Sequence, residues 1–302
     1  MAVTCAHPAD WSNKLMGGHI VPDGGRSTVR SRRLGAALVK HREAAKLVQK
    51  DAAAAIKGTT TKISRMETGK VSVRPLELSI LLNLYGIRDP VECARLEGLA
   101  RDSGRRGGWW TDYGDTTGPG YADQISLEND ATHISEWTGL IIPGLCQHPS
   151  YAQKAIENGP NFIQPERIAE LVAVRRQRQE RILKEGVYYA AVIWESLITT
   201  PAWGDEIHLA QLGHLLAMSE HQNVTIQVLP TKAIAIAGLA SPFSAFSFGL
   251  EPGIEAVVVG NITNTTVLEE AEELSAYSLA FERLRSDALS TDESTALIRR
   301  NQ

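Results

Sequence analysis

The sequence predicts a mixed fold: an all-helical bundle of five helices, followed by an α+β domain with a small, largely antiparallel sheet. Apolar residues at helical spacing fill much of the first hundred residues, whereas strand-like apolar runs occur only in the second half. Residues 30–106 carry 17 basic and 8 acidic residues, whereas residues 107–302 carry 12 basic and 25 acidic residues. This charge asymmetry indicates a basic module for a polyanion, joined to an acidic module with a different role.

Composition divides the 302 residues into four segments. Residues 1–28 contain many glycines and few large apolar residues, which is typical of a flexible leader. Residues 29–106 are the basic module, and the glycine-rich residues 107–120 are a linker. Residues 121–302 are expected to form the acidic α+β domain, with regulatory and dimerisation roles.

Several classes of protein are disfavoured at once. The three cysteines, Cys5, Cys93 and Cys146, are odd in number and widely spaced, which argues against a disulfide framework or a zinc knuckle. The amino terminus lacks the basic and apolar regions of a signal peptide. No apolar stretch approaches the ~20 residues that a membrane span requires. A reduced, cytoplasmic protein is expected.

The most informative stretch of the basic module runs from Gln49 to Lys70 and has a helix-turn-helix pattern. Alanines at 52–55 allow a close helix crossing, Gly58 supplies a permissive turn, and Thr59 can cap the following helix. Helices are predicted at residues 30–44, 49–56, 60–67, 75–85 and 90–101. Their predicted core consists of Leu34, Leu38, Leu47, Ala53, Ile56, Ile63, Met66, Leu78, Leu81, Leu82 and Tyr85.

The second helix of this motif is the predicted recognition helix. Ile63 and Met66 are three residues apart and must face the core, so the polar residues between and beside them face outward. Hydroxyl and methyl groups and one guanidinium suit base edges in the major groove, whereas amide and ammonium groups suit phosphates. The predicted DNA-binding residues are Gln49, Thr59, Thr60, Thr61, Lys62, Ser64, Arg65 and Lys70.

The stretch TKISRMETGK, followed by VRPLELSILLNLYGI, resembles the Xre-family helix-turn-helix of actinobacterial regulators. The similarity continues at GWW and Tyr113, IPGLCQHPSYA, RRQRQ and NVTIQVLP, which is typical of WhiJ-like, antitoxin-like regulators. The resemblance implies binding to a double-stranded DNA operator near the protein's own gene, and a small companion protein encoded nearby. The chain departs from the family at Lys57 and Gly58, where the family has glycine and then an apolar residue.

In the acidic domain, helical and strand-like patterns are segregated. Helices are predicted at residues 125–135, 150–158, 165–184 and 206–220, and strands at 187–194, 224–229, 243–248 and 254–259. A final helix is predicted to start at a capping box formed by Thr266 and Glu269. Its apolar stripe contains Val267, Ala271, Leu274, Tyr277, Phe281 and Leu284.

Five residues of this region are candidates for binding a ligand or a partner. Trp109, Trp110 and Tyr113 follow the basic module, and the tryptophans either anchor the linker against a domain or form one wall of a ligand pocket. Arg175 and Gln179 occupy positions of the helix at 165–184 where its period predicts apolar side chains. A buried arginine needs partners, so Arg175 either joins an internal salt-bridge network or faces a ligand or partner chain.

Enzymatic functions receive little support. His208, His214 and His221 do not have the spacing of zinc ligands on one helix face, and no nucleotide-binding loop or nucleophile elbow is present. Self-cleavage at Ala237-Gly238 would need a lysine base further along, and Lys232 is the last lysine. Carboxylates at 269–273 are better explained as favourable charges at a helix start. No catalytic residue, metal or cofactor is therefore expected.

The leading hypothesis is a cytoplasmic transcription regulator that binds DNA as a homodimer, because one short helix reads only a few base pairs. Its acidic domain then binds a small companion protein. A small-molecule-sensing regulator is the alternative within this class. A protein-interaction adaptor without DNA binding is the alternative from a different class.

Overall fold

The computed structural model describes residues 29–103, 119–159, 163–233, 241–249, 253–260 and 265–302. The chain divides into two compact units, residues 1–101 and 102–302. The fold class is confirmed, with a helical first unit and an α+β second unit. The predicted leader and almost all of the predicted linker lie outside the described residues. No helix in the described part of the chain is both long enough and apolar enough to cross a membrane.

The first unit contains five described helices, close to the predicted positions. They are α1 (Val29–Ala44), α2 (Gln49–Ala55), α3 (Thr60–Glu67), α4 (Pro75–Leu84) and α5 (Pro90–Ser103). The predicted core is confirmed, with Leu47 and Ile56 packing partly buried at its edge. Helix α1 approaches the end of α3 so closely that a Cβ on Gly35 would lie 2.3 Å from the Glu67 carbonyl oxygen. Glycine is required there because the two backbones touch.

The second unit alternates helices and strands in its first half and ends with strands followed by two helices. Its elements are α6 (Pro119–Asp130), β1 (His133–Thr138), α7 (Pro149–Glu157), α8 (Pro165–Glu185), β2 (Tyr188–Trp194), α9 (Ser196–Thr199), α10 (Asp205–Ser219), β3 (Val224–Leu229), β4 (Phe243–Ser247), β5 (Ala256–Gly260), β6 (Thr265–Leu268), α11 (Ala271–Asp287) and α12 (Thr291–Asn301).

The six strands form one sheet in the order β3-β2-β1-β4-β5-β6. Strands β1, β2 and β3 pair in parallel, whereas the β1–β4, β4–β5 and β5–β6 pairs are antiparallel. The sheet is therefore mixed, and the prediction of a largely antiparallel sheet is wrong. The reason is that helices connect β1 to β2 and β2 to β3, and such crossovers return the chain in the same direction.

Strand β1 was not predicted, because residues 125–135 were assigned to one helix. That helix, α6, ends at Asp130, and β1 follows at the centre of the sheet. The strand carries Glu136 in a buried position. A buried carboxyl in a central strand costs free energy unless it is hydrogen-bonded, and here side chains of neighbouring strands donate hydrogen bonds to it.

The start of the last predicted helix is also corrected. Thr266 lies in β6, which pairs with β5, and α11 begins at Ala271. A capping box does occur in this region, but it opens α12, where the Ser290 hydroxyl accepts from the Glu293 amide at 3.2 Å. The apolar stripe of α11 packs on one face of the sheet through Leu274, Tyr277, Phe281 and Leu284.

Candidate functional site

The turn between α2 and α3 is closed by backbone hydrogen bonds. The amide of Gly58 donates to the Ala53 carbonyl at 2.8 Å, and that of Lys57 donates to Ala54 at 3.1 Å. Lys57 adopts the left-handed conformation, with φ at 53°. The prediction that Gly58 supplies the permissive conformation is therefore wrong by one residue, because the residue just after the helix cap takes the left-handed position.

Helix α3 begins at its predicted cap. The Thr59 hydroxyl accepts a hydrogen bond from the Lys62 amide at 3.2 Å, which satisfies one of the free donors at the helix start. Ile63 and Met66 are each 1% exposed and face the core. This inward pair fixes which side of α3 faces the solvent.

The outward side of α3 carries the polar residues that the sequence placed there. Thr59, Thr60, Thr61, Arg65 and Lys70 are exposed, and Ser64 is half-buried. An α-helix with its side chains is about 10–12 Å across, which fits the width of the DNA major groove of ~12 Å. The helix therefore presents hydroxyls and one guanidinium on a face that could enter such a groove.

Two predicted DNA-binding residues are engaged inside the first unit. Lys62 forms an ion pair with Glu77 at the start of α4. Burial raises the pKa of Glu77, but the hydrogen bonds and positive charges of Lys62 and Arg74 together outweigh burial, so the pKa is lowered. The side-chain amide of Gln49 donates a hydrogen bond to the Glu67 carboxylate at 2.8 Å. These bonds tie α3 to α4 and α2 to α3, so both side chains hold the motif together.

A buried ion pair joins α1 to the end of α3. The Arg42 Nε atom lies 2.6 Å from Glu67 Oε1, and its Nη2 atom lies 3.2 Å from Oε2. The third guanidinium nitrogen, Nη1, donates to the Leu47 carbonyl at 3.0 Å. Sequence reasoning missed this pair, although Glu67 shares the inward spacing of Ile63 and Met66.

The structure adds two exposed cations in the connections that flank the recognition helix. Lys57 precedes α3 in the turn, and Arg74 follows it in the connection to α4. Both are available to a polyanion that contacts α3. Their positions in the connections before and after α3 were the available sequence signal.

In the second unit, the salt bridge expected for α8 involves a different arginine. Arg178 contacts Glu128 through two nitrogens, both at 2.6 Å, and its Nη1 atom donates to the Tyr121 hydroxyl. Burial alone would lower the pKa of Arg178, but the Glu128 carboxylate raises it above the ordinary value. The internal network therefore forms one turn away from Arg175, because the buried stripe of α8 runs through Leu171, Val174, Arg178 and Ile182.

Arg175 and Gln179 lie in different surroundings. Arg175 lines a cavity of about 280 Å³ and donates from Nη1 to the Gln147 side chain. Gln179 is buried and donates to the Gln147 carbonyl at 2.8 Å. Trp109, Trp110 and Tyr113, the other three candidates, lie outside the described residues.

Two members of a buried polar chain, Glu136 and Ser244, line this cavity. Glu136 accepts from Ser244 Oγ at 2.7 Å and from the Tyr189 hydroxyl at 2.5 Å. Tyr189 in turn accepts from the thiol of Cys146, which is free. Burial raises the pKa of the Glu136 carboxyl. Among the described residues, no group of three or more potential ligands is placed to hold a metal ion.

Comparisons with known proteins match both units. A family model described as a domain of unknown function (DUF5753) matches residues 121–300, and a helix-turn-helix domain model matches residues 33–96. No curated protein and no solved structure matches the chain.

We expect Arg42→Met to lower the free energy of unfolding of the first unit by about 3 kcal/mol, because it leaves Glu67 buried without its partner. Hydrogen exchange of the amides in α2 and α3 measures this loss in the full chain. Lys40→Met is the matched control, since Lys40 is exposed on the same helix. Adding Glu67→Leu to Arg42→Met should restore part of the stability. Unchanged exchange in Arg42→Met would contradict the importance of the pair.

Proposed function

The chain belongs to the DUF5753 family and carries a helix-turn-helix domain, and we propose that it is a sequence-specific transcription regulator of the Xre type. One observation carries the proposal. Helix α3 buries Ile63 and Met66 and leaves Thr61 and Arg65 exposed. That arrangement allows base contacts without unfolding, and the net charge of +9 over residues 30–106 favours a polyanion.

The proposed regulator acts as a homodimer on a double-stranded DNA operator in the cytoplasm. Dimerisation is supported by the length of α3, because a helix of eight residues contacts few base pairs. Two such helices on one face of the duplex would read half-sites about 10 base pairs apart. The exposed cations Lys57, Lys70 and Arg74 would contact phosphates and set the orientation.

For the second unit, we propose a binding role rather than catalysis. The resemblance to antitoxin-like regulators suggests a small companion protein as its partner. The net charge of −13 over residues 107–302 supports a basic partner, because complementary charge speeds association and excludes other acidic proteins.

A second candidate role for this unit is sensing a small molecule. The cavity beside Arg175 favours it, because ligand sites are concave, largely apolar and carry a few polar groups. Companion binding and ligand sensing are separate properties, and each has its own test.

DNA binding is tested by selecting genomic fragments retained by the purified full chain. We expect the retained fragments to share a sequence motif. Arg65→Ala should weaken binding to that motif by about 1–3 kcal/mol and relax the base preference at one position, because an arginine grips guanine with two hydrogen bonds.

The matched control for Arg65→Ala is Arg88→Ala, since Arg88 is exposed between α4 and α5. The control should bind like the wild type. Equal affinity in Arg65→Ala would contradict the assignment of α3 as the recognition helix. Retained fragments without a common sequence would contradict sequence specificity, and retention of no fragment would favour the adaptor without DNA binding.

Companion binding is tested by purifying the tagged full chain from cells that also express the products of the adjacent genes. We expect a small basic protein to co-purify at low salt and to dissociate near 1 M salt, where the screening length falls to about 3 Å. If no adjacent gene product is retained even at low salt, the companion proposal fails and DNA binding is unaffected.

A further inference from the structure

The cavity of the second unit lies where the direction of the sheet changes. Strand β1 pairs in parallel with β2 on one side and antiparallel with β4 on the other. Residues 136–138, at the carboxyl end of β1, line the cavity together with the chain that follows. The order of the strands also reverses at β1, and in open α/β sheets ligands bind beyond the carboxyl ends of the strands at such a reversal.

The charged side chains around the cavity are unevenly paired. Glu128 pairs with Arg178, and Glu136 accepts hydrogen bonds from Tyr189 and Ser244. Arg175 donates a hydrogen bond to the Gln147 side chain, and no carboxylate among the described residues lies within 4 Å of its guanidinium nitrogens. Among the described residues, Arg175 is therefore a cation at the cavity wall without a carboxylate partner.

Arg175 is half-buried, and burial lowers the pKa of its guanidinium with no nearby carboxylate to offset the effect. Gln147 supplies one neutral acceptor, which stabilises a guanidinium less than an anion does. An anion inside the cavity would supply the missing counter-charge.

The rest of the lining is mainly apolar. Its apolar members include Ile141, Pro143, Pro242, Phe243 and Val258. An inorganic anion would leave this surface in contact with water, whereas an organic ligand would cover it. The volume of about 280 Å³ is near the lower end of the ~300–1,000 Å³ found for ligand pockets, so the ligand is small.

We propose that this cavity binds a small organic carboxylate, whose anionic group pairs with Arg175 and whose apolar part packs against Phe243 and Pro242. The assignment deepens the second candidate role, small-molecule sensing, and rests on it. Binding is measured without DNA, so a failure of this site is distinguishable from a failure of DNA binding.

The test is calorimetric titration of the full chain with benzoate, phenylacetate and indole-3-acetate, each compared with its neutral amide. The amides have nearly the same shape and lack the charge. We expect at least one carboxylate to bind, and its amide to bind at least about tenfold more weakly, because hydrogen bonds to a charged group are the stronger ones.

Variants locate the site on α8. Arg175→Gln should abolish binding of the carboxylate, and Arg175→Lys should retain part of it. Arg176→Gln is the matched control, since Arg176 is exposed one residue further along the same helix, and it should bind like the wild type. The proposal is overturned if none of the three carboxylates binds the wild type at about 10 mM, which corresponds to a very weak interaction. It is also overturned if amides bind equally well or if Arg175→Gln binds normally.

Discussion

The position of α3 depends on the buried ion pair between Arg42 and Glu67. The pair joins the end of the recognition helix to α1, and Gln49 adds a bond from α2 to the same carboxylate. Together with the burial of Ile63 and Met66, this leaves α3 with one possible outward face. Removing one partner of a buried ion pair costs free energy, because the other charge is left buried and unpaired. The pair therefore holds the motif in one arrangement before DNA binds.

Much of the first unit could be predicted from the sequence because its structure is local. Helix positions follow from apolar spacing, and the cap at Thr59 follows from the residue type. The turn was misplaced by one residue because a lysine, Lys57, takes a left-handed conformation that glycine usually occupies. The Arg42–Glu67 pair was missed because its members are 25 positions apart, although Arg42 continues the inward spacing of Leu34 and Leu38 on its helix.

The second unit was less predictable because its sheet is assembled from distant segments. Strand β1 was missed because Glu136 interrupts its apolar pattern. Tyr189 and Ser244, whose side chains donate hydrogen bonds to Glu136, come from two other strands. The parallel and antiparallel pairings depend on crossovers that residue patterns do not show. Arg175 was noticed because it breaks a helical period, yet the arginine in the ion pair is Arg178. Both side chains line the cavity, and which of them pairs with Glu128 follows from the packing of α8.

The two units thus combine a rigid basic motif with an acidic domain that contains a charged cavity. The central claim is that α3 enters the major groove with Arg65 against a guanine. Methylation of guanine N7 on a selected DNA fragment tests it most directly, because N7 lies in the major groove. We predict that the full chain protects at least one guanine, and that this guanine becomes reactive when Arg65→Ala is bound at saturation. If no guanine N7 is protected, or if the same positions stay protected in the variant, the account is contradicted.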